Sequence, residues 1–114
     1  MKYALLIYTS ETADTQASAE EQQAVMAAYN AFGQPFNDKI VGGEALLPTT
    51  SATTVRVRDG KPLTTDGPFA ETKEQLGGFY LVEAENLDEA ITIAAHIPGA
   101  TSGEIEVRPV MVFE

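Results

Sequence analysis

Residues 2–9 read KYALLIYT. Strand formers fill the segment, and apolar side chains fall at odd and even positions alike. A strand that is apolar on both faces needs cover on both, which places it at the centre of a sheet. The following SETADTQASAEE is small and polar and reads mostly as loop. Ser18 with Glu21 forms a capping box, so a helix is expected to start there. Val25, Tyr29, Phe32 and Phe36 recur at helical spacing and mark its buried side. Pro35 removes a helix hydrogen bond, which predicts a kink or break near Gly33–Pro35 and an end by Asp38.

Working outward, KIVGGEALLP reads as a strand interrupted at Gly42-Gly43. SATTVRVRDGKPLTT, residues 51–65, alternates Val55 and Val57 with Arg56 and Arg58. Asp59-Gly60 is its hairpin turn, and Pro62 makes the return an edge strand. GFYLVEAE (Gly78–Glu85) is a further strand. NLDEAITIAAHIPG is a second helix, capped by Asn86 and ended by Pro98-Gly99, with Leu87, Ala90, Ile91, Ala94 and Ile97 facing inward. GEIEVRPVMVFE closes the chain as a strand, with Ile105 and Val107 inward and Glu104, Glu106 and Arg108 outward.

Strand, helix, strand, inserted β-hairpin, strand, helix, strand: this order predicts an α+β, ferredoxin-like split βαβ fold. Its sheet is antiparallel, with both helices on one face. One domain over residues 1–114 is expected. Two helices leave the other face of such a sheet bare, and a second copy packed sheet to sheet is its expected cover. The outward arginines, Arg56, Arg58 and Arg108, are expected to pair with acids such as Glu104 and Glu106 across the sheet.

The net charge of −10, from 17 acidic and 7 basic side chains, opposes nucleic acid and anionic membrane as partners. No cysteine and one histidine leave no ligand set for a metal, and no phosphate-cradling or dinucleotide motif implies a cofactor. The apolar run Tyr3–Tyr8 is shorter than a signal-peptide core, and no window approaches the ~20 apolar residues of a membrane span. A cytoplasmic protein is expected.

Residues 65–84, TDGPFAETKEQLGGFYLVEA, closely resemble the signature of the YCII-related proteins of the DGPF type. MKYALLIY, GGEALLPTTSATTVRVRDG and GEIEVRPV resemble the family pattern as well, so the likeness spans nearly the whole chain. It implies a ferredoxin-like fold in a dimeric α+β barrel, two sheets packed face to face with clefts between subunits. It implies no single reaction. Many similar proteins occur near genes for alternative sigma factors. One enzyme of the wider superfamily dehydrochlorinates an aromatic substrate with a His–Asp pair, the His on the first helix. Here that helix has no histidine, so Asp66 matches the acidic member without its partner.

Asp66 has two readings. It opens a turn by bonding nearby backbone N–H groups, or it is an acid or base at a cleft, its pKa raised by apolar surroundings such as Phe69. Between Asp66 and Gly77-Gly78 lies the polar run Glu71–Gln75, for which one helical turn is plausible. Lys73 is the natural contact for an anionic ligand, with Glu71 or Glu74 orienting it. Arg108 is expected to reach an inter-subunit cleft. His96, the only histidine, ends the second helix and reads as a surface residue. Three functions follow: cofactor-independent acid–base chemistry of lyase or isomerase type on a small molecule; ligand binding without turnover, as an accessory to sigma-factor-type regulation; or a purely structural, dimerising role.

Overall fold

The computed structural model describes residues 1–113. Strand β1 (Lys2–Thr9) leads into helices α1 (Glu11–Gln16) and α2 (Ala19–Gly33), then β2 (Ile40–Ala45). A single 3-10 turn, Thr49–Ser51, precedes the hairpin β3 (Thr53–Arg58) and β4 (Lys61–Asp66). Strand β5 (Gln75–Glu83), helices α3 (Leu87–Ala95) and α4 (Gly99–Ser102), and β6 (Glu104–Pro109) complete the chain. Four strands form one antiparallel sheet in the order β2-β5-β1-β6, the ferredoxin-like arrangement. The hairpin forms a separate two-stranded sheet.

Strand β1 lies at the centre, as its two-sided apolar pattern requires. Tyr3, Leu5 and Ile7 pair with Val82, Tyr80 and Gly78 of β5 and point into the core. There they meet Phe32 of α2 and Ala90, Ile93, Ala94 and Ile97, on or just after α3. The second helix therefore uses Ile93 where the sequence suggests Leu87 and Ile91, both of which are 49% exposed. Positions 90, 93, 94 and 97 follow the i, i+3, i+4, i+7 stripe that one sheet-facing side permits. On the first long helix Phe32 is buried and Tyr29 and Phe36 pack beside it, but Val25 is 52% exposed.

The capping box on α2 forms as read: Ser18 Oγ accepts from Glu21 N–H at 3.1 Å, and Glu21 Oε1 accepts from Ser18 N–H at 3.2 Å. Ser18→Ala is expected to cost about 1 kcal/mol. An unchanged urea midpoint for that variant would show that α2 is held by packing alone. The helix stops at Gly33, and a turn carries the chain past Pro35. The segment after β1 is not loop but helix α1. Ser10 caps it, accepting from Ala13 N–H, and Glu11 and Asp14 suit its positive end.

The opposite face of the sheet carries Ala4, Leu6 and Tyr8 of β1 and Leu76, Phe79 and Leu81 of β5, all half-buried. Among the described residues no helix covers them. Glu104, Glu106 and Arg108 share this face along β6, opposite Tyr8, Leu6 and Ala4. Among the described residues no helix is long and apolar enough to cross a membrane.

The hairpin stands clear of this body. Asp59 (φ 53°) and Gly60 (φ 73°) make its turn, both in the left-handed region that a two-residue hairpin loop of this hand needs. Val55, Val57 and Leu63 are 59%, 61% and 52% exposed. The Cα radius of gyration is 16.1 Å, where a compact chain of this length has about 13 Å. The difference reflects this projecting arm and a C-terminal stretch whose Met111, Val112 and Phe113 are also exposed.

Candidate functional site

The loop after β4 begins with Gly67 at φ 96°, a conformation that favours glycine. Its N–H bonds Ala52 O at 2.7 Å, and its carbonyl accepts from Thr54 Oγ1 at 2.8 Å. Gly67, rather than Asp66, therefore makes the turn. Asp66 is the last residue of β4, opposite Thr53, and its carboxylate accepts no hydrogen bond from any described residue. Neither sequence reading of Asp66 describes its place in the single chain. It is exposed, it bonds no turn backbone, and Phe69, expected to enclose it, is itself 81% exposed.

The polar run 71–75 forms no helical turn. Gln75 folds back instead, its Nε2 donating to Ala70 O at 3.2 Å and Thr72 O at 3.3 Å. A side chain that satisfies two loop carbonyls holds the loop open as a defined curve. That curve forms one wall of a hollow of about 340 Å³. Gly67, Pro68, Glu71, Thr72, Lys73 and Gln75 line this wall; Glu11, Thr12, Thr49 and Thr50 line the facing one.

The facing wall is tied together by one carboxylate. Glu11 accepts from Thr49 N–H at 2.8 Å and Thr49 Oγ1 at 2.6 Å, joining α1 to the 3-10 turn. Thr9 Oγ1 donates to Asp14 Oδ2 at 3.0 Å and fixes α1 to the end of β1. Glu71 and Lys73 thus face a preset wall bearing threonine hydroxyls. Neither takes part in an ion pair among the described residues. An ammonium, two carboxylates and hydroxyls around a small hollow can orient a polar molecule whose anionic group meets Lys73.

Of the residues singled out in the sequence, the structure brings Glu71 and Lys73 together here. Asp66, Glu74 and Arg108 lie outside the hollow's walls. Glu74 turns to Glu104, and their shared hydrogen bond holds the Glu104 pKa above its ordinary value. Arg108 sits near the far end of β6, opposite Ala4. Among the described residues the expected cross-sheet ion pairs of Arg56, Arg58 and Arg108 do not form: the hairpin that carries Arg56 and Arg58 is not part of the main sheet, and Arg108 lies on the same strand as Glu104 and Glu106, with Ala4 across from it. His96 is exposed; its Nδ1 lies 2.7 Å from Thr92 O and its ring packs on Phe36. Burial between helix and sheet pushes the Tyr29 and Tyr80 phenols up, Tyr29 against an opposing hydrogen bond from the Gly99 backbone. Glu11, Thr12, Thr49 and Thr50 escaped the sequence reading; Ser10 ahead of two acids was the available sign that α1 begins there.

The model of the YCII-related domain matches residues 1–114. An uncharacterized protein of Rhizobium meliloti (strain 1021) is 40% identical over 118 residues, covering 100% of this chain and 95% of the relative. The solved structure of 5-chloro-2-hydroxyhydroquinone dehydrochlorinase from Burkholderia phenoliruptrix AC1100, in complex with 2,5-dihydroxybenzoquinone, has the same fold. It aligns with a TM-score of 0.57 at 18% identity, over 97% of this chain and 94% of that one. With its full length matched by the family model and by a relative of this identity, the chain belongs to the YCII-related family.

Proposed function

We propose that this protein works in the cytoplasm as a homodimer that binds a small polar molecule with an anionic group at the Gly67–Gln75 loop. The observation that carries this reading is the hollow itself, with Lys73 and Glu71 on one wall and a threonine wall held in place by Glu11. Sheet-to-sheet packing of two copies would cover the apolar row Ala4, Leu6, Phe79 and Leu81.

Acid–base chemistry of lyase or isomerase type is the second reading. It is favoured by the dehydrochlorinase, which holds a small oxygen-bearing ring on this fold. Glu71 is then the proton acceptor that shares the hollow's wall with Lys73, and Asp66 takes part only where a second copy closes over it. Asp66 standing alone and exposed favours binding without turnover, the accessory role.

A thermal-shift screen against anionic metabolites tests both readings. For a ligand so found, Lys73→Ala is expected to weaken binding by at least about tenfold, the loss of one charge-assisted hydrogen bond. The melting temperature without ligand should not change, since Lys73 is exposed. Undiminished affinity in the variant would remove this hollow as the site. Product formation during the titration would decide for catalysis.

A further inference from the structure

The β3–β4 hairpin has two unlike sides. Arg56 is paired with Leu63 and Arg58 with Lys61, so these four side chains project together. Val55, Val57, Pro62 and Thr64 project from the other side. Three of the chain's 7 basic residues are therefore gathered on one arm, with only Asp59 and Asp66 of its 17 acids. None of the three is in an ion pair among the described residues. Like charges directly opposite each other, as Arg58 and Lys61 are, oppose hairpin formation, and a two-stranded hairpin in water is marginal to begin with. Such an arm is stabilised by something acidic and partly apolar lying against it.

The chain carries a surface of that kind. Glu104 and Glu106 stand on the uncovered sheet face at the β6 edge, and Glu74 reaches Glu104 there. The neighbouring Glu74 carboxyl pushes the Glu104 carboxyl up, and among the described residues neither is in an ion pair. The arm leaves the body at the same end of the sheet but from the other side. It departs after Ala45 of β2 and rejoins at Gln75 of β5, level with Tyr8, Thr9 and Glu104. A two-fold axis along the strands, between two facing sheets, lays the β2–β5 side of one copy over the β6 edge of the other.

We propose that the arm embraces a second copy of this chain, its Arg56, Arg58 and Lys61 strip seated on the partner's Glu74, Glu104 and Glu106. This rests on the homodimer of the preceding reading and adds to it the element that holds the pair and its register. Each of the two copies gives an arm and receives one. The attachment is an attraction between a basic strip and an acidic one at the surface, which salt screens, so it weakens as salt rises.

The test is sedimentation equilibrium of three chains: wild type, the arm variant R56E/R58E/K61E, and the face variant E74K/E104K/E106K. The substituted positions are exposed or half-exposed, and circular dichroism checks that each chain is folded. Wild type should dimerise, with affinity falling on going from about 0.05 M to about 0.5 M salt. Each variant alone should dimerise at least about tenfold more weakly. Mixed in equal amounts they should form a heterodimer, because both arm–face contacts are then complementary again. An arm variant that dimerises like wild type would overturn the arm while leaving the dimer intact. Wild type of single-chain mass at high concentration would overturn the dimer and the arm with it. Weakened variants that fail to form the heterodimer would show that the arm seats elsewhere, as would wild-type chain that binds a polyanion such as heparin through the arm.

Discussion

Leu5→Ala is expected to destabilise the protein by about 3–4 kcal/mol, from the range for emptying a closed core site. Leu5 is fully buried at the middle of the central strand, between Tyr80 of β5 and Val107 of β6. Neighbours on both sides are held by ladder hydrogen bonds, and Ile93, Ile97 and Val82 are as completely enclosed. Little can collapse into the space a leucine leaves, so the cavity adds to the lost transfer energy. A loss of this size should lower the melting temperature by roughly 10–20 °C. Leu6→Ala is the natural comparison. It lies one position along on the uncovered face and is only half-buried, so dilute protein should lose distinctly less. Equal losses at the two positions would mean that the helix-covered face is not the main core.

Gly103→Ala is expected to cost about 3 kcal/mol, near the upper end for overpacking. Gly103 closes α4, its N–H bonding Gly99 O at 2.8 Å, and passes the chain straight into β6. That passage runs so near β1 that an added Cβ would overlap the Tyr8 carbonyl oxygen and stand 3.1 Å from Thr9 Cγ2. The Tyr8 carbonyl is backbone of the central strand and cannot swing aside as a side chain would. The penalty is one of space rather than of φ. Gly33→Ala separates the two effects: nothing lies within 4 Å of its Cβ position, at the end of α2. That substitution should be neutral or stabilise by up to about 1 kcal/mol. Denaturant midpoints of the two variants check the contrast, and a Gly103→Ala midpoint matching wild type would rule out the close approach.

The elements with strong local signals are where the sequence places them. The Ser18–Glu21 capping box, the Asp59-Gly60 turn and the odd-position apolar set of β1 each rest on neighbours within a few residues. Misreadings came where the deciding partner is distant. Helix α1 looked like loop because its residues are small and polar, and its anchors are Thr49 and Thr9. Ile93 displaced Ile91 because the angle at which α3 lies on the sheet chooses between two equally periodic stripes. The run Glu71–Gln75 looked like a helical turn, yet Gln75 gains more by bonding the loop's own carbonyls.

The same division holds for the candidate site. Lys73 and Glu71 could be named from the sequence, since charges within a conspicuous turn-and-glycine stretch stand out. The threonine wall opposite could not, because about forty residues separate Glu11 from Thr49 and only the fold closes that gap. Asp66 and Arg108 lie outside this hollow in the single chain, at the positions that strand register gives them.

By itself the sequence determined the order of the strands and the two main helices, the central strand, and a second sheet face that is apolar and has no helix of its own. These follow from periodicity and composition, which are local or summed properties of the chain, while the family follows from the likeness of residues 65–84 to a known signature. Only the tertiary structure decided that the hairpin stands apart as a basic arm, that Glu74 joins Glu104, and that the hollow lies between α1 and the loop after β4. Those facts depend on which strands pair and in what register, and pairing is set by burial shared among residues far apart in the chain.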